Sequence, residues 1–331
     1  MRTTGDAAAA DGLSSTGHAS FSVRRLLGLS LEQARFQVRG FAAADPSRQA
    51  ALETIGQTFI RGYNAALVAR NADAVLPFIS SVSQAERGFA VEGAAMGAAI
   101  ADAISFRASL LASCIEAFEA DFTYLLHVGA GWSLARVPWR RRRILAELDP
   151  LLRWLAFDGL GFHDTYFYHR RILGGWRRER SGYAARAYDQ GVGRALWFVA
   201  GGSVVAAIKL LSSLPESRHG DIWSGIGLAM TYAGPATTGD IALAGEAAGP
   251  NRPQFAQGVA FACEARALAR HIPAHTDHAV RTVWGIGAEE LSGLVRKARD
   301  RLPEAEADPP RYELWRTAVA GAFSQTTGWH A

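Results

Sequence analysis

Lysine is nearly missing from this chain: Lys209 and Lys297 are the only two among 35 Lys and Arg residues. Against 31 Asp and Glu, that leaves a formal charge of only +4, and the arginine bias reflects a GC-rich genome more than a nucleic-acid partner. Cysteine is also scarce. Cys114 and Cys263 cannot build a disulfide framework or a multi-cysteine metal site. Residues 1–20 are small and polar without an apolar core, so they read as a disordered tail rather than a signal peptide. Long apolar runs are missing too. The best window, ALWFVAGGSVVAAI (195–208), has 14 residues and a central Gly-Gly, short of the roughly 20 that a membrane span requires. It reads as two buried helices joined at Gly201-Gly202, which predicts a soluble, cytoplasmic protein with no transmembrane segment. Alternating β-branched runs, the mark of strands, do not occur. Nor do a Walker A loop, a dinucleotide fingerprint in its strand–helix setting, a Gly-x-Ser-x-Gly elbow or the DDxxD motif of ordinary terpene synthases. At 49% hydrophobic and 20% charged, the chain has the apolar surface for a real core and is not disordered overall.

What is present is a rhythm of glycines. Gly62, Gly93, Gly129, Gly159, Gly191, Gly225 and Gly258 are separated by 31, 36, 30, 32, 34 and 33 residues, a mean of about 33. A Gly or Ala follows two positions later at each except Gly62. Between them, Ile222, Ile226, Ala229 and Met230 fall on one helical face, as do Phe255, Val259, Ala262 and Ala265. Turn signals separate the helical stretches at Gly201-Gly202, Leu214-Pro215, Gly234-Pro235, Gly249-Pro250 and Ile272-Pro273. A glycine inside a helix costs about 1 kcal/mol against alanine, and is tolerated most simply where a neighbouring helix approaches closely. The pattern predicts an all-α fold: a helical repeat array of two-helix units, tetratricopeptide-like in period, forming a solenoid or an α/α toroid. Residues 21–299 form the repeat domain, with 21–60 as an N-terminal helical cap. Residues 300–331 comprise a linker (300–310) and a C-terminal capping helix.

Polar chemistry concentrates in FDGLGFHDTYFYHRR, Phe157 to Arg171, where Asp158, His163, Asp164 and His169 alternate with aromatic rings. One reading is a metal site using His163 and Asp164, with His127 and Asp221 completing a phosphohydrolase-like set. Another is an acid of raised pKa in an apolar pocket whose rings stabilise a cation. A third is purely structural, with Asp capping a helix and the histidines bonded in a helix seam. Beside the repeat glycines stand Arg61, Glu92, Asp158, Asp189-Gln190, Ser224 and Gln257, and equivalent positions of a repeat face the same side. They either line one concave groove or satisfy backbone groups where helices cross. The candidate catalytic residues are therefore Asp158, His163, Asp164 and Asp189. Glu92, Gln190, Arg194, Trp223 and Gln257 are candidate substrate contacts, with Arg194 offsetting the Asp158 and Asp189 charges. The cofactor is left open; a divalent metal is the only one with any signal. Glu216-x-x-His219 and His275-x-x-His278 lack the further ligands a metal centre needs. Arg140–Arg143, with Arg177, Arg178 and Arg180, reads as a solvated basic face rather than a phosphate site.

Eight blocks in order carry a resemblance: RRLLGLSLEQARFQVRGF (24–41), LETIGQTFIRGYNAAL (52–67), RGFAVEGAAM (87–96), LLHVGAGWSLAR (125–136), LDPLLRWLAFDGLGFHDTYF (148–167), YDQGVGRALWFV (188–199), DIWSGIGLAMTYAG (221–234) and FAQGVAFACEARA (255–267). Together, over about residues 21–300, they resemble an uncharacterised bacterial domain-of-unknown-function family. Its members are often encoded in enediyne polyketide antibiotic clusters beside the polyketide synthase cassette. The resemblance implies secondary metabolism, with a hydrophobic small-molecule substrate and polyketide synthase machinery as partners, and assigns no catalytic residue. Three functions follow as expectations: a protein that binds or processes an extended polyene intermediate, a non-canonical terpene-cyclase-like cyclase or isomerase, and a non-catalytic scaffold.

Overall fold

A computed structural model describes residues 26–42, 45–105, 109–179, 181–305 and 308–327, and among these residues every regular element is a helix. The expected tail, 1–20, lies outside the described residues. Of the expected N-terminal helical cap, 21–60, the described residues form three helical elements. Two short helical turns, Leu31–Ala34 and Phe36–Arg39, end at Gly40, whose φ of 69° gives a left-handed stop. A long helix then starts afresh at Pro46. Asp45 dictates that start: its carboxylate accepts from the Ser47 and Arg48 amides, and Pro46 needs no donor at the first helical position.

Each spaced glycine lies inside its own long helix: α1 Pro46–Val68, α2 Arg87–Ala103, α3 Leu110–Ser133, α4 Leu155–Leu173, α5 Gly182–Val199, α6 His219–Ala233 and α7 Arg252–Leu268. Successive helices cross at these glycines, backbone on backbone. A Cβ on Gly129, Gly159, Gly191, Gly225 or Gly258 would lie 1.8–2.0 Å from the carbonyl oxygen of the residue just before the previous helix's glycine. The second glycine of each Gly-x-Gly faces the next helix in the same way: Gly131 meets Ala156 O, Gly161 meets Tyr188 O, Gly193 meets Ile222 O and Gly227 meets Phe255 O, each at 2.0–2.4 Å from the added carbon. From α3 to α7, two glycines at each crossing thus let both helices approach without side chains between them.

The connections depart from a regular two-helix unit. Short helices link four of the six pairs: Leu76–Ser81, Arg141–Glu147, Val204–Leu211 and Thr238–Ala247. Between α2 and α3, and between α4 and α5, the described residues form no helix; those connections are only six and eight residues long, too short for a returning helix. After α7 come α8 Ala274–Trp284, α9 Ala288–Asp300 and α10 Arg311–Thr327. The last of these does more than cover an end: Tyr312, Trp315, Val319 and Phe323 are fully buried, and Trp315 Nε1 donates to Val295 O at 2.9 Å. No helix among the described residues is long and apolar enough to cross a membrane.

Candidate functional site

The residue three beyond each glycine, from α2 to α7, is Met96, Trp132, Phe162, Arg194, Leu228 or Phe261. Each lines one of two adjoining, narrow cavities. The first has a volume of about 50 Å³ and is lined by rings including Phe59, Trp132, Phe162 and Tyr166. Ring centroids lie 4.4 Å apart for Phe59–Trp132 and 4.9 Å for Trp132–Phe162. The second, also about 50 Å³, is closed partly by α10 through Tyr312 and Trp315. Arg194, Leu228 and Tyr232 line both.

Two charged features face these apolar walls: Glu264, which lines the second cavity and accepts from Ser292 Oγ at 2.6 Å, and a cluster around Arg194. Arg194 NH1 donates to Asp158 Oδ1, and Gln190 Nε2 donates to Asp158 Oδ2 at 2.9 Å. On its other side Arg194 comes within 3.6 Å of Glu92 Oε1, which also accepts from Trp132 Nε1 at 3.0 Å. The guanidinium carbon sits 5.0 Å from the centre of the Phe162 ring. All three charged residues are buried: Glu92 is 3% exposed, Asp158 1% and Arg194 7%. Two acids share one arginine, so if both ionised the cluster would carry a net negative charge in apolar surroundings. Burial pushes Glu92 and Asp158 above the usual carboxylate range, while Arg194 pulls both back. Arg194 and Gln190 both bind Asp158, which favours the charged form there. Arg194 bonds Asp158 more closely than Glu92, from which it stands 3.6 Å away.

The other candidates do not join this cluster. His163 Nδ1 lies 3.2 Å from Asp164 Oδ1, and Asp164 accepts from Arg178 at 2.8 and 3.0 Å and from the Tyr188 hydroxyl at 3.0 Å. Burial alone would raise Asp164, but His163 and Arg178 hold it below the usual range; burial keeps His163 below its own. Asp189 meets Arg218 at 2.7 Å and Arg177 at 2.6 Å, not Arg194. Asp221 pairs with Arg186 at 3.0 Å and Arg316 at 2.9 Å. Gln257 accepts from Ser224 at 2.8 Å and Arg316 at 3.3 Å, and Trp223 packs edge-on against Phe255. None of His163, Asp164, Asp189, Trp223, Gln190 or Gln257 lines either cavity. His127 is used up between Thr123 O and the Asp149 amide. Among the described residues no group of His, Cys, Asp and Glu is placed to hold a metal ion, and the carboxylates proposed for one are taken up by arginines. In the basic stretch Arg142 and Arg143 are exposed, Arg141 pairs with Glu179 at 2.5 Å, Arg140 donates to Ala103 O, and Arg143 pairs with Glu147; Arg180 lies outside the described residues.

Asp189 thus has a structural geometry. Asp189→Asn removes the charge between two arginines, of which Arg218 is 7% exposed, and is expected to destabilise by about 3 kcal/mol. Urea unfolding checks the loss. Binding of a hydrophobic fluorescent probe per folded molecule should be unchanged, because Asp189 lies outside both cavities.

Trp132, Tyr232, Tyr312 and Trp315 were not singled out by the sequence. For Trp132 the signal existed: it stands three residues after a repeat glycine, one helical turn beyond the position that carries Glu92 and Asp158 in neighbouring helices. Tyr312 and Trp315 come from outside the glycine rhythm. Neither the curated proteins nor the solved structures give a match to this chain. A family profile described as a protein of unknown function (DUF1702) matches residues 20–323, nearly the whole length, and the chain belongs to that family.

Proposed function

We propose that this protein binds an extended, largely hydrocarbon polyene in the aromatic cavity and isomerises or cyclises it by proton transfer from Glu92. The observation that carries this reading is the Glu92–Arg194–Asp158 cluster: two buried carboxylates sharing one arginine in a wall of aromatic rings, of which we take Glu92, the less closely paired, to carry the proton. Protonating a carbon–carbon double bond forms a C–H bond from the π electrons and leaves a carbocation on the adjacent carbon. The faces of Phe59, Trp132 and Phe162 are suited to hold that cation, and an apolar cavity keeps water from quenching it. Loss of a proton from a neighbouring carbon returns it to the carboxylate, so the step needs no oxidant or reductant. Migration of the double bond gives an isomer; attack by a second double bond gives a ring. Arg194 and Asp158 act as a fixed counter-charge that keeps the acid oriented. We take the pathway to be natural-product assembly of the enediyne-type polyketide kind that the eight sequence blocks imply, with the protein inside the cell beside the synthase. The glycine helices would then form a repeat array wrapped round its substrate. A scaffold would be better served by an open, charged groove than by enclosed apolar cavities.

The test uses the full chain in D2O with squalene and β-farnesene as probe polyenes and mass spectrometry as the readout. Wild type should yield deuterium-labelled isomer or cyclic product. Glu92→Gln should lower that yield by a factor of about 10²–10⁴, the usual contribution of a positioned acid. It should still bind diphenylhexatriene, a fluorescent polyene that reports a dry site. Labelled product at the wild-type rate from Glu92→Gln would contradict the reading, as would wild-type protein that binds neither the dye nor the polyenes.

A further inference from the structure

The two cavities meet at the charged cluster rather than at its periphery. Glu92 lines the first cavity, Asp158 the second, and Arg194 both, while Leu228 and Tyr232 complete the partition. Glu92, Asp158 and Arg194 therefore sit where the two spaces adjoin, with aromatic walls leading away on either side; Glu264, bonded to Ser292, is the one further charged residue that the described residues contribute to the linings. Arg194 is also the only basic side chain that the described residues contribute to either lining, and Asp158 and Gln190 already engage it and its partner. No free cation remains in the cavities for a diphosphate or carboxylate end group.

We infer that the two cavities are the halves of one site for an elongated, uncharged polyene, seated with an internal double bond beside Glu92 and its two ends in opposite halves. This rests on the proposed function above and specifies its substrate class: a neutral chain too long for either cavity alone, reacting at an internal position rather than at a terminal leaving group. The second half is walled on one side by Ala262 and Ala265, small residues of α7 that leave room along that wall. Leu228, at the partition, is the side chain past which such a chain must thread.

Retention of squalene and of the half-length β-farnesene by the full chain, measured by extraction after gel filtration, tests this. Wild type should retain both. Ala262→Leu and Ala265→Leu should each lower squalene retention by about tenfold or more, since they take apolar volume from one end of the chain, and leave farnesene, which the first half would take alone, within about twofold. Leu228→Ala, which removes atoms and so cannot overpack, keeps the test alive if the alanine variants fail to fold: a wider partition should speed squalene uptake and leave farnesene unchanged. Squalene retention that survives both leucine variants, or squalene uptake indifferent to Leu228→Ala, would overturn the two-half site while leaving the single-cavity reading intact. Wild-type protein that retains neither hydrocarbon would remove the proposed function and this inference together.

Discussion

Gly191→Ala is expected to destabilise the protein by about 3 kcal/mol or more, at or beyond the upper end of overpacking in a closed core. A single methyl suffices. The added carbon would lie 1.8 Å from Asp158 O and 2.7 Å from Asp158 C, against 3.4 Å or more for ordinary contact. Both are backbone atoms, so no side chain can swing aside, and α4 and α5 must separate. That separation would also move Asp158 away from Arg194 and Gln190, so the site suffers with the fold. Gly293→Ala is the matched control. Gly293 is exposed inside α9 and its added carbon would meet nothing within 4 Å, so there the gain in helix propensity should stabilise by about 0.5–1 kcal/mol. Urea melts of the two variants check the pair. A Gly191→Ala protein as stable as wild type would remove the close crossings from the account.

The second large effect is expected from Arg194→Leu, about 3 kcal/mol or more at pH 7, because it leaves two buried acids without their counter-charge. Its pH dependence carries a sign. Without Arg194, nothing offsets burial, and the folded-state pKa of Glu92 and Asp158 rises further above that of the unfolded chain. Below about pH 4 both states hold these protons, and the acids add little to the deficit. As pH climbs, the unfolded chain releases them first, and the deficit relative to wild type should widen until the folded pKa values are passed. Stability curves at pH 4 and pH 8 measure this. A deficit that stays constant, or shrinks toward pH 8, would show that the arginine is not balancing buried carboxylates.

The all-helical fold was legible in the sequence because a glycine inside a helix is costly unless something requires it, and seven such positions recurred at a near-constant spacing. The uniform two-helix unit was not, because some connections are too short to hold the second helix. The position before each glycine pointed to Glu92 and Asp158. It also pointed to Gln190, Ser224 and Gln257, which line neither cavity: Gln190 braces Asp158, and Ser224 bonds Gln257 between α6 and α7. Asp189 stands one residue earlier still, about 100° round the helix, and is turned toward Arg177 and Arg218 instead. Those arginines, like Arg178, lie in connections between the long helices, where no helical period marks them. Arg316 and the aromatic wall of α10 come from a distant segment, so their part in the centre could be found only once the chain was folded. Reading three residues past each glycine, rather than one before, is the step that would have brought Trp132, Phe162 and Arg194 together.

The central claim is that Glu92 holds a proton at neutral pH beside an ionised Asp158. An infrared difference spectrum of the full chain against Glu92→Gln, with glutamate carboxyls isotope-labelled, reads this directly and requires no substrate. The account predicts a protonated carboxylic carbonyl band at pH 7 that shifts with the glutamate label and disappears in Glu92→Gln. A spectrum with no such band, or one whose band survives Glu92→Gln and vanishes in Asp158→Asn, would contradict it.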